Sequence, residues 1–234
     1  MADIEALKEK AGIEACKFVK NGMKVGLGTG STVKYTIIEL ARRITEENLE
    51  IVGVPTSIAT EELAISLGIK LVELSDVDNL DIVIDGADEF DEKFQLIKGG
   101  GAALLREKIV AQQSTRMVVV ADDRKRVKTL GEFPLPIEIT TFSHDSTIRQ
   151  ISRILGCDVK LRYFEDKPLV TDNGNYIADA ITGPTISDPI STEREILLIA
   201  GVVQVGLFNN MCDAVILAGE NGVETLLNPD SDLD

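Results

Sequence analysis

The stretch "KVGLGTGST" (residues 24–32) decides the fold, because it joins a short apolar strand to a helix through glycines at 26, 28 and 30. A Rossmann loop needs Gly-x-Gly-x-x-Gly and an acidic residue at the end of the second strand. Here Ser31 stands in the place of the third glycine, and the second strand ends in "VPTS". A P-loop needs Gly-Lys-Ser/Thr, but Gly30 is followed by Ser31 and Thr32. Neither nucleotide-binding signature is complete.

The loop is compatible with a seat for a single phosphate. Its glycines let the backbone approach closely, and Thr29, Ser31 and Thr32 add hydroxyl groups. The next helix offers N–H groups and the positive end of its dipole. The alternative is a tight strand-to-helix turn in which Ser31 is the N-cap. The loop by itself favours neither interpretation.

Strand and helix signals alternate on both sides of this loop. The pattern predicts helices over 4–20, 31–44, 58–67 and 101–113, and strands over 24–28, 49–55, 70–74, 80–86 and 116–122. Such alternation is typical of an α/β fold, a doubly wound, mostly parallel (Rossmann-like) sheet with helices on both faces.

The pattern changes at "GEFPLPIEI" (131–139), where two prolines favour a domain crossing. The order that follows is strand 137–141, helix 145–155, strand 158–164, a hairpin, helix 191–200 and strand 202–207. This βαββαβ order predicts a smaller ferredoxin-like α+β domain. Within it, Asn173-Gly174 predicts a type I′ turn, and Thr192 with Glu195 predicts a capping box.

The last apolar stretch, "DAVILAG" (213–219), predicts a buried strand that rejoins the first sheet. We therefore predict a Rossmann-like catalytic domain formed by 1–131 and 208–234. Residues 132–207 form the smaller domain, which we expect to mediate oligomerisation. The tail "NPDSDLD" (228–234) is predicted to be disordered.

Composition narrows the possible partners. The 234 residues carry a formal net charge of −15, with 44% hydrophobic and 4% aromatic residues, which predicts an aliphatic core and disfavours nucleic acid and anionic membranes as partners. The cysteines at 16, 157 and 212 share no metal or redox spacing, so we expect reduced thiols. A charged amphipathic start and the lack of an apolar run of about 18 residues predict a cytoplasmic protein.

The second motif is "IVIDGADEF" (82–90), which places Asp85 at the end of an apolar strand and Asp88 just after it. Ligands of open α/β sheets bind beyond the carboxyl ends of the strands. There Asp85 and Asp88 could bind sugar hydroxyls or move protons between them. An Asp-Gly turn with a helix cap, or a Mg²⁺ site beside a phosphate, are the alternatives.

The third motif, "LIKGGGAALLREKIVAQ" (96–112), is the most informative. Lys98 precedes three glycines, and a helix follows. The neighbours of Glu107 three and four residues away are all apolar: Ala103, Leu104, Val110 and Ala111. Helical spacing therefore predicts that Glu107 lies on a buried stripe. Burial raises the pKa of a carboxyl group, which suits a general base. A structural ion pair is the alternative for Glu107, and a surface position is the alternative for Lys98.

The single histidine, His144, is predicted to lie in a turn or on the surface. One histidine and no cysteine pair argue against a Ser-His-Asp hydrolase and against a zinc enzyme.

Taken together, the motifs resemble ribose-5-phosphate isomerase, type A. The similar stretches are "GLGTGST", "DGADE", "KGGGAALLREK", "LGEFPLPIEI", "VTDNGN" and "GVVQVGLF", in the order of that family and over nearly the whole chain. The resemblance implies interconversion of ribose 5-phosphate and ribulose 5-phosphate through an enediolate, in the non-oxidative branch of the pentose phosphate pathway. It also implies no metal, no cofactor, and a homodimer or homotetramer.

The resemblance further implies which residues act. Glu107 would transfer the proton, with Asp85, Asp88 and Lys98 as further catalytic groups. The implied substrate-binding residues are Thr29, Gly30, Ser31, Thr32, Asp85, Gly86, Ala87, Asp88, Lys98, Gly99, Gly100, Gly101, Lys125 and Lys8. Two other functions stay open from the residues themselves. One is a sugar-phosphate sensor without catalysis, and the other is an acyl-CoA transferase that uses a Glu nucleophile.

Overall fold

The structure is a computed structural model that describes residues 4–220 and 222–231. The chain divides into two compact units. Unit 1 contains the described residues within 1–87, 106–125 and 211–234, and unit 2 contains 88–105 and 126–210. The predicted division instead assigned 88–105, 126–131 and 208–210 to the larger domain. The strands within 88–105 are only two residues long, which is too short for a sequence pattern to assign.

The described residues form six α-helices and fifteen strands. The helices are α1 (Ile4–Ala15), α2 (Val33–Glu46), α3 (Ile58–Ser66), α4 (Leu104–Gln112), α5 (His144–Leu155) and α6 (Pro189–Leu197). The strands are β1 (Lys24–Leu27), β2 (Val52–Pro55), β3 (Ile82–Gly86), β4 (Glu89–Phe90), β5 (Leu96–Ile97), β6 (Met117–Asp122), β7 (Leu135–Ile139), β8 (Asp158–Leu161), β9 (Tyr163–Phe164), β10 (Lys167–Pro168), β11 (Tyr176–Ile181), β12 (Val202–Val205), β13 (Leu207–Phe208), β14 (Ala214–Gly219) and β15 (Gly222–Leu227).

Unit 1 is built on a six-stranded sheet in the order β15-β14-β6-β3-β1-β2. All its strand pairs are parallel except β14 with β15. The chain runs from β1 to β2 on one side and then to β3 on the other, so the strand order reverses between β1 and β3. This topology confirms the predicted doubly wound, mostly parallel sheet and the return of residues 214–219 to it.

One face of this sheet is covered by α1 and α2. Val25 of β1 and Ile84 of β3 belong to a single hydrophobic cluster with Leu7 of α1 and Ile37 of α2. These side chains are almost wholly aliphatic because strands buried on both faces consist of near-continuous apolar runs.

The opposite face is covered by α4, and close packing there requires glycine. A Cβ atom at Gly26 would lie 2.7 Å from Val110 of α4 and 2.8 Å from Val83 of β3. Side chains alternate across a strand, so Asp85 lies on the same face of β3 as Val83. Asp85 and α4, the helix that carries Glu107, therefore share one face of the sheet.

Unit 2 contains a four-stranded antiparallel sheet in the order β12-β7-β11-β8. Relative to the chain, this is the fourth, first, third and second strand of the βαββαβ sequence. Ile137 of β7, Ile151 of α5 and Ile196 of α6 are buried in its hydrophobic cluster. The predicted ferredoxin-like arrangement is confirmed. Unit 2 also contains a small sheet in the order β13-β5-β4 and a β9–β10 pair.

Two local predictions in and around strands were wrong. Residues 70–74 do not form a strand: Leu71 makes only an isolated bridge to Gly53, and Leu74–Asp76 is a short 3-10 helix. The hairpin turn is not type I′, because only Gly174 of the Asn173-Gly174 pair has a positive φ, at 77°. The N–H of Gly174 bonds to the carbonyl of Thr171 at 2.9 Å, which makes a type I turn followed by a left-handed glycine.

Two predictions near helix and chain ends were also wrong. Helix α6 begins earlier than predicted, and Asp188 caps it by accepting the Ser191 N–H at 3.1 Å with Pro189 in the first turn, so the predicted capping box is absent. In the tail, Ser231 Oγ bonds to Asp213 Oδ1 at 2.7 Å, which contradicts disorder at that residue. Residues 232–234 of the predicted disordered tail lie outside the described residues.

Within 4–220 and 222–231, no helix is both long and apolar enough to cross a membrane.

The three cysteines, all among the described residues, form no disulfide. The Sγ of Cys16 contacts the carbonyls of Gly12 and Thr36 at 3.3 and 3.4 Å, and burial raises the pKa of this thiol to about 12. Burial, together with the negative charge of Asp158, also raises the pKa of the Cys157 thiol, which is only partly buried. The third thiol, Cys212, is buried.

We expect iodoacetamide at about pH 8 to alkylate Cys157 slowly in the native protein and to leave Cys16 and Cys212 unmodified, since the thiolate is the reactive form. Peptide mapping by mass spectrometry measures the modification, and the same reaction in urea is the control in which all three react. Rapid native labelling of Cys16 would contradict the buried position.

Candidate active site

The reversal of strand order brings the loop after β1 against the end of β3. The N–H of Gly28 donates to the carbonyl of Ile84 at 2.9 Å. The carboxylate of Asp85 accepts two backbone N–H groups on Oδ1, from Thr29 at 3.0 Å and from Gly86 at 2.8 Å. Asp85 is fully buried. The structure therefore brings together the first and second motifs at the point where open α/β sheets bind ligands.

Gly28 makes this close approach possible. A Cβ atom at residue 28 would lie 2.3 Å from Asp85 Oδ1 and 2.6 Å from its Cα. Any side chain at this position would have to displace either the carboxylate or the strand. The requirement for glycine is therefore steric, and it fixes where the Asp85 carboxyl group lies.

The Thr29 hydroxyl lies in a cluster of hydroxyl groups. Its Oγ1 is 2.8 Å from the side-chain oxygens of Thr56 and Ser57 and 3.2 Å from that of Thr60. Thr60 Oγ1 in turn donates to the carbonyl of Gly28 at 2.9 Å. Thr29 was predicted to offer its hydroxyl to the phosphate, and this cluster was not predicted. Its signal is "TSIAT" (56–60), three hydroxyls at the end of β2 and the start of α3.

The remaining loop residues lead into α2. Gly30 has φ +128°, a conformation that favours glycine. Ser31 is exposed, and the residue before α2 is Thr32, whose side chain makes no capping hydrogen bond. The alternative in which Ser31 is the N-cap is therefore wrong.

Glu107 lies on α4 and is only 4% exposed. Its four apolar neighbours at helical spacing are buried as well: Ala103, Leu104, Val110 and Ala111. The predicted buried stripe is confirmed. The next residue, Lys108, is equally inaccessible at 2% exposure. The burial of Lys108 was not predicted, because a lysine within a charged "REK" gives no sign of burial.

In unit 2, Lys98 is buried at 2% exposure, so its alternative as a surface lysine is wrong. Its Nζ lies 5.3 Å from the ring centroid of Phe208, a cation–π distance. The backbone N–H of Lys98 donates to the carbonyl of Gly206 at 2.8 Å.

The glycines after Lys98 form a loop that contacts Asp88, also in unit 2. The N–H of Gly100 donates to Asp88 Oδ2 at 2.7 Å, and the N–H of Asp88 donates to the carbonyl of Ile97 at 2.8 Å. Gly99 has φ +111°. Arg162, which no sequence motif indicated, donates to the carbonyls of Gly99 and Gly100 at 2.8 and 3.1 Å.

Two further polar side chains, Glu89 and His144, have structural partners. The carboxylate of Glu89 is buried and accepts the backbone N–H groups of Gly131, at 2.8 Å, and Phe133. His144 begins α5, and its ring contacts the ring of Tyr176 edge-on at 5.3 Å. His144 is in a helix and is partly buried, whereas a turn or surface position was predicted.

The two outlying lysines lie in unit 1. Lys8 on α1 forms an ion pair with Glu5 at 2.7 Å. Lys125 ends a short 3-10 helix directly after β6 and is partly buried.

At the end of β6, burial opposes ionisation of Asp122, but hydrogen bonds from Arg124 outweigh it and lower the pKa of that carboxyl group. Among the residues that the structure describes, no group of three or more His, Cys, Asp or Glu is arranged to hold a metal ion.

The chain is an α/β protein with a doubly wound sheet, a buried carboxylate at the strand reversal and a second buried carboxylate on the helix that covers the same face. Comparison with known proteins identifies the family. The sequence profile of ribose 5-phosphate isomerase A (phosphoriboisomerase A) matches residues 52–222. The chain belongs to the ribose-5-phosphate isomerase A family and is an isomerase.

Relatives and solved structures cover nearly the full chain. The ribose-5-phosphate isomerase A of Bacillus mycoides is 50% identical over 93% of this chain and 98% of its own length. That of Bifidobacterium adolescentis is 46% identical over 97% and 98%. The structure of the Methanocaldococcus jannaschii protein superposes with a TM-score of 0.91 at 42% identity, covering 96% of this chain and 100% of its own. A D-ribose-5-phosphate isomerase in complex with phospho-erythronic acid gives 0.93 at 40% identity, covering 97% and 100%.

We expect Gly28→Ala to lower the free energy of unfolding by about 1–3 kcal/mol, because the methyl group would overlap the Asp85 carboxylate and overpack the sheet. Thermal unfolding followed by circular dichroism measures the change. Gly86→Ala is the matched control, since its Cβ would meet nothing closer than 3.8 Å. Equal melting temperatures for both variants and the wild type would contradict the steric requirement at residue 28.

Proposed function

We propose that the protein interconverts D-ribose 5-phosphate and D-ribulose 5-phosphate through an enediolate intermediate, with Glu107 as general base and acid. The observation that carries the proposal is the buried Glu107 on α4, the helix that covers the face of the sheet carrying Asp85. The relatives are ribose-5-phosphate isomerases, which indicates the substrate that we propose. One solved D-ribose-5-phosphate isomerase is in complex with phospho-erythronic acid, a phosphorylated sugar acid, and this supports a sugar phosphate as substrate.

The substrate phosphate is proposed to bind at the loop before α2. Gly30, Ser31 and Thr32 bring backbone N–H groups, hydroxyls and the positive end of the α2 dipole to one place. The Thr29 hydroxyl is already bonded within the hydroxyl cluster. Thr29 is therefore proposed to contact the substrate through its main chain and not through its side chain. Lys8 and Lys125 would add the positive charge that a chain of net charge −15 needs to attract an anion.

The chemistry needs one proton moved between carbons and one between oxygens. Glu107 removes the proton from C2 of the open aldose, and the electron pair forms the C1–C2 double bond of the enediolate. Lys98 stabilises the negative charge that develops on the C1 oxygen. Asp85 and Asp88 assist ring opening and carry the hydroxyl proton from O2 to O1. Glu107 then returns its proton to C1, which completes the ketose.

Asp85, Glu107 and the phosphate loop belong to unit 1, whereas Asp88, Lys98 and Gly99–Gly101 belong to unit 2. Gly86 and Ala87 connect the two aspartates along the chain, and their backbone is proposed to bind substrate.

We also propose a homodimer or homotetramer that acts in the cytoplasm, within the pentose phosphate pathway. Unit 2 would mediate association, because large apolar side chains lie exposed there. Phe142, Leu198 and Phe164 are 84%, 81% and 69% exposed.

The direct test mixes chelator-treated protein with ribose 5-phosphate and follows ketose formation. We expect turnover without added metal. Absence of ketose, with or without a divalent cation, would overturn the proposed function. A sensor would bind the sugar phosphate without converting it. An acyl-CoA transferase would instead trap CoA on a glutamate, which a mass shift with acyl-CoA reveals.

We expect Glu107→Gln to lower kcat by about 10²–10⁴-fold with little change in KM, because the amide keeps the shape of the side chain but cannot accept the C2 proton. Steady-state kinetics with ribose 5-phosphate measure both constants. Glu9→Gln, an exposed change on α1, is the control with unchanged kinetics. Near-normal turnover of Glu107→Gln would remove Glu107 from its assigned role.

A further inference from the structure

We propose that Arg162, paired with Asp179, is a positioning residue that holds the glycine loop after Lys98 and fixes the Asp88 carboxylate through a single peptide group. The inference rests on the proposed function, since it concerns how Lys98 and Asp88 are held for that reaction. Arg162 lies between β8 and β9, more than 60 positions along the chain from the glycines that it contacts.

The geometry forms a continuous relay. Arg162 Nη1 donates to the carbonyl of Gly99 at 2.8 Å. That carbonyl and the N–H of Gly100 belong to the same peptide group, and the N–H donates to Asp88 Oδ2 at 2.7 Å. A guanidinium on the carbonyl side polarises the peptide and strengthens its N–H as a donor. The positive charge of Arg162 thereby acts on the Asp88 carboxylate without contacting it.

Asp179 holds the guanidinium in place. Arg162 Nε and Nη2 donate to the two oxygens of Asp179 at 2.8 and 2.5 Å, a two-point pairing. The two side chains are 14% and 20% exposed, so solvent only partly screens the pair. Asp179 lies on β11, within the antiparallel sheet of unit 2. The loop is therefore anchored to a rigid strand through two charged side chains.

The loop needs such an anchor because two of its residues have positive φ angles, one of them a residue with a side chain. Gly99 has φ +111° and Ala102 has φ 59°, and the left-handed conformation is costly for a residue with a Cβ atom. The N–H of Ala102 closes the turn on the carbonyl of Gly99 at 2.9 Å. Arg162 bonds to that same carbonyl and to the next one, at Gly100. Nη1 of Arg162 thus holds two consecutive peptide groups, Gly99–Gly100 and Gly100–Gly101, soon after Lys98.

A lysine cannot reproduce this arrangement. Its ammonium is a single point charge and cannot bond at once to both Asp179 oxygens and to the loop carbonyls in a planar fork. We expect Arg162→Lys to lower kcat by about 10–100-fold, the effect of a misplaced catalytic group. The change in KM should be small, because the proposed phosphate loop is in unit 1. Arg153→Lys, an exposed change on α5, should leave the kinetics unchanged.

Two measurements separate positioning from a merely structural role. Methylguanidinium, added below its denaturing concentration, should restore part of the kcat of Arg162→Ala, whereas tetramethylammonium at equal ionic strength should not. In a double-mutant cycle, Arg162→Lys should add little to the loss in Asp88→Asn, because both changes break the same relay.

The outcomes are distinguishable from failure of the proposed function. If the wild type does not isomerise ribose 5-phosphate, the proposed function fails. If the wild type is active and Arg162→Lys keeps kcat within about twofold, only the role of Arg162 is overturned. A variant that loses stability and kcat together, with no rescue and with fully multiplicative losses in the cycle, also overturns it.

Discussion

The site depends on one close approach: the Asp85 carboxylate lies directly against the backbone of Gly28, where no side chain fits. That contact lets Asp85 accept two backbone N–H groups while it is fully buried. A buried carboxylate is costly unless donors surround it, and here the main chain supplies them. The position of the acid is thus set by the strand order and by one missing side chain.

In unit 2, the Asp88 carboxylate is also held by a backbone N–H, but the loop that supplies this group is fixed differently. Its loop of glycines leaves Asp88 near a backbone N–H, but the loop is held by a charged pair on the antiparallel sheet. In unit 1 neutral hydroxyls perform the corresponding task around Thr29. In both units, the residues that are proposed to contact substrate are fixed by residues that are not.

The sequence predicted what depends on local pattern and missed what depends on distant contacts. The doubly wound sheet followed from strand and helix periodicity, and the burial of Glu107 followed from its spacing to Val110 and Ala111. The hydroxyls of "TSIAT" (56–60) are visible in the sequence, but their contact with Thr29 could not be predicted, nor could that of Arg162 with its loop. Each contact forms only after strands far apart in the chain have paired. The edge strand β15 was missed because Gly222–Leu227 is mostly exposed and lacks a buried apolar pattern.

The chain path of unit 1 also bears on how the protein is made. Strand β14 pairs in parallel with β6 and supports β15, yet it follows all of unit 2 along the chain. A ribosome therefore completes unit 2 before it releases the strand that extends the larger sheet beyond β6. Until then the edge of β6 exposes unpaired backbone groups, a surface prone to aggregation. A nascent chain stalled before residue 214 would be expected to need a chaperone.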